Sequence, residues 1–248
     1  MFFNFKNFIK KKFSYNFWLD LSFFYQYFYF KFLNRYSCRG NIDKILKDII
    51  NAHKNGFFLE VGAYNGFSES VSLRFEKELD WKGLLIEPNP IHFKYLKRNR
   101  PKNICLNSIC LSKDFLKKKL YLKNLNQMSY IVDDADKSYF SHYPEEKIQN
   151  LAKETYSGNF EKLSCKVETL QNIFKSYQIK KIDLAIIDVE GSEIELLKGI
   201  DFSEVDIEYL CIETYNFNEL NSFMTKKLNY TLIKKIHKED YVYKKISR

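Results

Sequence analysis

Carboxylates at the ends of apolar runs and a pair of glycines carry the spacing from which chemistry can be read. In Glu60-Val-Gly62-Ala63-Tyr64-Asn65-Gly66 an apolar run ends and a two-glycine turn begins, the kind of strand-to-helix junction at which backbone can approach a nucleotide. Glu87 follows Gly62 by 25 residues, near the spacing at which an acidic side chain meets ribose hydroxyls. A dinucleotide site would need a third glycine at the helix start, where Phe67, Ser68 and Glu69 stand instead. Carboxylates beside the turn repel a pyrophosphate and suit a cationic sulfonium with an ammonium tail. Further on, the apolar run beginning at Ile182 delivers Asp188 to its end, and Glu190 follows on the turn. Taken alone, that second pair is either part of a site or a solvated acidic turn.

These residues need a frame that brings strand ends together. Beyond Arg35, apolar runs of strand length alternate with longer amphipathic segments, which predicts an α/β fold with a mostly parallel sheet and helices on both faces. Helices are expected from Ile42 to Lys54, Ser68 to Leu79, Ile91 to Arg98, Thr169 to Tyr177, Glu193 to Leu197 and around Glu219 to Leu228. Strands are expected at Phe57 to Val61, Gly83 to Glu87, Ile104 to Asn107, Ile182 to Asp188 and Ile207 to Glu213, with weaker ones at Lys119 to Leu122 and Leu163 to Val167. Tyr230 to Ile236 and Tyr241 to Ile246 flank His237-Lys238-Glu239-Asp240 and predict a closing antiparallel hairpin. Ser192 and Glu195 have the spacing of a capping box. From 124 to 160 the period is lost, and the stretch reads as a long insertion. Its Met128, Ser129, Tyr130, Asp133, Asp134, Tyr139 and His142 form either a cover over the cleft suited to carbohydrate or a solvated acidic loop.

The chain has 248 residues, 45% of them hydrophobic, enough for one large domain, expected over 37–248. Its formal charge of +9 is uneven: residues 1–36 hold six Lys and Arg against Asp20, a net +5 that leaves +4 for the rest. A nucleic-acid protein would want its basic stripe on the folded domain. Five cysteines without a Cys-x-x-Cys pair suggest neither a disulfide framework nor a zinc cluster, and fit a reducing, cytoplasmic setting. Cys105 and Cys110, an odd number of residues apart in one strand-like run, are expected on opposite faces. Residues 1–36 are dense in Phe, Tyr and Trp behind Lys10-Lys11-Lys12. They suit packing against the domain or a peripheral anchor at the inner membrane surface better than a span, because Asp20 is costly in hydrocarbon.

Four pieces then combine: Tyr36-Ser37-Cys38-Arg39-Gly40-Asn41-Ile42-Asp43, Asn55 to Gly66, Trp81 to Pro90, and Ile182 to Gly199 around Asp188-Val-Glu190-Gly-Ser-Glu193. In this order the chain resembles the FkbM family of methyltransferases, in particular its Star-like branch. The resemblance implies a Rossmann-like class I fold with seven strands and transfer of a methyl group from S-adenosylmethionine to an oxygen, often a hydroxyl of a sugar, glycan or related metabolite. The expected setting is surface polysaccharide assembly, on a small-molecule or lipid-linked glycan acceptor. It also implies the cofactor set: Glu60, Gly62, Ala63 and Gly66 around the methionine end, Glu87 by the ribose, Asn107 and Ser108 near adenine, Asp188 beneath the methyl group, and Tyr64, Asn65 and Pro88 as further cofactor-binding residues. Cys38 and Arg39 depart from the usual opening motif.

A hydroxyl needs a base as it attacks, and Asp188 and Glu190 lead the candidates, with His237 third. His53, His92 and His142 fall on expected surfaces and receive no role. Asp188 with Glu213 could hold a divalent ion, but no metal is assigned. Two rivals stand beside this reading. A nucleic-acid methyltransferase fits poorly, since Asp188-Val-Glu190-Gly191 replaces the Pro-Pro-aromatic run of amino-methylating enzymes. A non-catalytic, membrane-associated binding protein with the same fold is opposed by the intact Glu60, Gly62, Gly66, Glu87 and Asp188.

Overall fold

The computed structural model describes residues 38–124, 129–135 and 162–246, together with Leu21, Phe24, Tyr25 and Phe28 of an N-terminal helix. A short 3-10 turn at Arg39–Asn41 leads into α1 (Ile42–Ile49). There follow β1 (Phe57–Val61), α2 (Ser72–Leu79), β2 (Lys82–Ile86), α3 (Pro90–Asn99), β3 (Ile104–Leu106) and β4 (Ile109–Cys110). Next come β5 (Tyr121–Lys123), β6 (Tyr130–Val132), β7 (Lys162–Ser164), β8 (Val167–Glu168), α4 (Leu170–Ser176), β9 (Lys181–Ile187) and α5 (Glu193–Leu197). The chain closes with β10 (Asp206–Glu213), α6 (Phe217–Lys226), β11 (Tyr230–Lys235) and β12 (Asp240–Lys245).

Seven strands form the main sheet in the order β11-β12-β10-β9-β1-β2-β3. All neighbouring pairs from β3 to β10 are parallel, and β12 is antiparallel to both β10 and β11. This is the expected seven-stranded α/β sheet with its closing hairpin. Alternate residues of the central strands feed two cores, as a pleat of period two requires. Leu59, Val61, Leu84, Ile86, Leu210 and Ile212 face one cluster. Phe58, Leu85, Leu184, Ile186 and Cys211 face the other. The strand order reverses between β1 and β9, so a crevice opens beyond their carboxyl ends.

Several expectations are corrected. The helix expected from Ser68 begins at Ser72, because residues 68–71 form a loop whose polar groups turn to Glu60. The helix after Gly40 stops at Ile49 rather than Lys54. Cys105 and Cys110 lie on different strands of different sheets, so no shared pleat relates them. The expected strand from Leu163 to Val167 is two strands: β7 joins β5 and β6, and β8 pairs with β4. Ser192 makes no capping bond; its hydroxyl donates to Val189 O, and Glu195 accepts from Ser112 Oγ instead. Within the insertion, Met128, Tyr139 and His142 lie outside the described residues.

Candidate active site

The crevice is a cavity of about 490 Å³. Its floor is the turn after β1. Gly62 and Ala63 both donate their N–H to Ile86 O, pinning the turn to the end of β2. Gly62 sits at φ 88°, and a Cβ there would lie 1.9 Å from Asp188 O. The close pass of the Asp188 backbone leaves room only for a hydrogen. Asn65, 1% exposed, accepts from the N–H groups of Phe67 and Ser68 and so shapes the turn from within. Asn65 and Gly66 do not line the cavity; they hold its wall.

Glu87 follows β2 and is buried at the cavity edge. One carboxylate oxygen accepts from Tyr64 N at 2.8 Å and the other from Asn89 N at 2.9 Å. Each oxygen keeps acceptor capacity for a further donor such as a ribose hydroxyl. Asn107 braces this corner without lining the cavity, donating to the carbonyls of Glu87 and Pro88 at 2.7 and 2.9 Å. Pro88 and Ser108 do line it. His92 corrects its expected surface position: it is 2% exposed, lines the cavity, and packs edge-on against Tyr64 with ring centroids 4.4 Å apart. Its Nδ1 lies 3.8 Å from Glu87 Oε1. It lies in the first turn of α3, whose cap is Asn89, with the side chain accepting from Ile91 N.

Glu60, 4% exposed, also lines the cavity and accepts three hydrogen bonds, from Ser70 Oγ, Val71 N and Ser72 Oγ at 2.9, 2.9 and 2.5 Å. Asp188, at the end of β9, and Glu190, two residues on at φ 51°, continue the lining. Glu213 ends β10 and stands directly opposite Asp240 of β12 in the antiparallel register, which brings both carboxylates to the same cavity. Asp240 escaped the sequence reading as a site residue; the signal was the hairpin register, which pairs the residue after the turn with the end of β10. His237 does not line the cavity. Its ring rests against Gly40, and its Nδ1 is 3.4 Å from Asp240 Oδ2.

Among the described residues, seven carboxylates (Glu60, Glu69, Glu87, Asp188, Glu190, Glu213 and Asp240) and neither Lys nor Arg line the cavity. That field attracts cations and repels phosphate. Cys38 and Cys211 also line it. Burial pushes the Cys38 thiol up to about 12, and burial with the nearby acids raises Cys211 well above its ordinary value, so both are protonated thiols at neutral pH.

The sequence pattern of the methyltransferase FkbM domain matches residues 60–244. The chain belongs to the FkbM methyltransferase family. The curated methyltransferase sdnD of Sordaria araneosa is 28% identical over 169 residues, 62% of this chain and 64% of that protein, so the match spans less than two thirds of that relative. Among solved structures, the human methyltransferase 10 domain containing protein is similar at 11% identity, covering 82% of this chain and 79% of that one with a TM-score of 0.44. A TehB-like SAM-dependent methyltransferase from Corynebacterium glutamicum is similar at 9% identity, covering 82% and 86%, with a TM-score of 0.43.

S-adenosylmethionine is the cofactor of this FkbM domain, and the residues present fit it. The cradle at Gly62 is one that a Cβ would fill, Glu87 offers acceptors at the end of β2, and the acidic lining suits a sulfonium and an ammonium group. Glu60 would face the methionine end and Asp188 the sulfur.

Proposed function

We propose that the chain is an O-methyltransferase acting on a hydroxyl of a sugar, glycan or related metabolite in surface polysaccharide assembly. The observation that carries this reading is the row of carboxylates Asp188, Glu190, Glu213 and Asp240 on the cavity beside the Gly62 turn. A hydroxyl is a weak nucleophile and must lose its proton as it attacks, and a carboxylate held at the site can accept it. S-adenosylmethionine supplies an electrophilic methyl carbon. In-line displacement then asks the chain for alignment, which rigid strand ends provide better than loops. The acidic lining also argues against an anionic nucleic-acid backbone near the transfer point.

The test is transfer of isotopically labelled methyl to a panel of neutral glycosides and lipid-linked sugars. Asp188→Asn is expected to lower kcat by about 10²-fold or more while S-adenosylhomocysteine still binds. Cofactor binding without transfer to any hydroxyl would favour the non-catalytic alternative.

The amino-terminal segment supports a second element of the proposal, peripheral contact with an anionic membrane where a lipid-linked acceptor would lie. Leu21, Phe24, Tyr25 and Phe28 recur at i, i+3, i+4 and i+7 on a helix and are all exposed, with Lys6 and Lys10-Lys11-Lys12 upstream. Aromatic residues beside lysines suit an anionic interface. Among the described residues no helix is long and apolar enough to cross a membrane. Sedimentation with anionic vesicles should fall sharply in Phe24→Glu/Phe28→Glu, and equal sedimentation of the parent and the variant would rule the contact out.

A further inference from the structure

Behind the cofactor turn lies a polar network that the reaction scheme does not use. Arg100, the residue after α3, is fully buried. Its Nε donates to Glu76 Oε2 of α2 at 2.5 Å. The rest of the fork turns toward the cofactor side: Nη1 donates to Gly66 O at 3.2 Å and to Ser70 Oγ at 2.9 Å, and Nη2 donates to Ser72 Oγ at 2.9 Å. The neighbouring Asn99 donates to Asn65 O at 2.9 Å. The C-terminal end of α3 therefore grips the 65–72 segment at several points.

The polarity of this chain of bonds is fixed. A guanidinium can only donate, so both serine hydroxyls accept from Arg100 and have their own hydrogens left to give. Both give them to the same atom, Glu60 Oε2, while Val71 N–H takes Glu60 Oε1. We infer that Arg100, acting through Ser70 and Ser72, is the positioning residue for Glu60, and that this relay sets the affinity of the cleft for the amino-acid tail of the cofactor. Glu60 is held by three hydrogen bonds on the cavity wall and a carboxylate has acceptor capacity beyond them, so no ordering is needed when an ammonium group arrives.

The inference rests on the cofactor reading, and its test separates the two. Arg100→Gln also breaks the buried pair with Glu76 and can unfold the domain, so the experiment uses Ser70→Ala/Ser72→Ala, with thermal unfolding as a check on the fold. Calorimetry is run with S-adenosylhomocysteine and with methylthioadenosine, which keeps the nucleoside but lacks the amino-acid tail. The variant should bind S-adenosylhomocysteine about tenfold more weakly, since hydrogen bonds to a charged group are lost, and methylthioadenosine as the parent does. In a Glu60→Gln background the serine changes should have no further effect on either ligand. Equal loss for both ligands, or no loss for either, overturns the relay while leaving the cofactor assignment standing. A parent protein that binds neither ligand overturns the assignment, and the relay with it.

Discussion

At the scale of single residues, the site is governed by one close backbone approach. The Asp188 carbonyl passes so near Gly62 that a methyl group cannot fit, and the φ of 88° disfavours any other residue. Gly62→Ala is therefore expected to cost about 1–3 kcal/mol through overpacking. The loss should appear both as a lower unfolding free energy and as loss of S-adenosylhomocysteine binding. Unchanged binding would mean that the turn is not the cofactor floor. Residues of this kind were legible in the sequence because their roles come from their own strand ends: Glu60, Gly62, Glu87 and Asp188 all reach the cavity or its edge. Asp240, His92 and the Ser70–Ser72 pair were not, because distant parts of the chain meet them: Asp240 stands opposite Glu213, His92 packs on Tyr64, and both serines accept from Arg100. The thiols make a second residue-scale prediction. With Cys38 pushed up to about 12 and Cys211 raised well above its ordinary value by burial, the native protein at pH 8 should leave both unmodified by iodoacetamide while denatured protein reacts at both, as peptide mass analysis would show.

At the scale of elements, what the sequence conveyed was the alternation of buried strands and amphipathic helices, since that pattern is local. The main strands fall close to their expected places because β1, β2, β9 and β10 are apolar runs buried on both faces. Helix starts were less legible where side chains compete for backbone groups. Residues 68–71 read as helix, yet Val71 N–H goes to Glu60 and Ser68 N–H to Asn65, so the regular ladder waits until Ser72. Of the two small sheets, the sequence marked the stretches that hold β5, β7 and β8 but not their pairing, and β4 and β6 went unmarked because strands of two or three residues carry no period. The helix expected from Thr169 does begin there, with Thr169 as its cap: Thr169 Oγ1 accepts from Asn172 N at 3.1 Å at the start of α4. Thr169→Ala should destabilise the domain by about 1 kcal/mol, seen as a lower denaturation midpoint with an unchanged denaturant slope. A changed slope would instead mean that the loop from β8 to α4 reorganises.

At the scale of the whole molecule, the pair of Glu76 and Arg100 ties α2 to the end of α3, with the guanidinium 5.4 Å from the centre of the Phe58 ring of β1. It joins one helical layer to the sheet directly behind the cleft. Burial works to raise the Glu76 pKa, but the charge and hydrogen bond of Arg100, with a smaller share from Lys77, outweigh it and hold the group below its ordinary 4.5. A carboxylate depressed in the folded state adds stability that is complete above its unfolded value and is lost as the pH falls through the lower folded value. Glu76→Gln leaves Arg100 buried without its counter-charge, and should cost about 3–5 kcal/mol at neutral pH. Because protonation removes the same charge from the parent, the gap in unfolding free energy between parent and variant should shrink as the pH is taken below 4.5, while charges common to both cancel in the difference. Denaturant titrations at a series of pH values measure that gap. A gap that stays constant to low pH would mean that shape rather than charge couples the two helices.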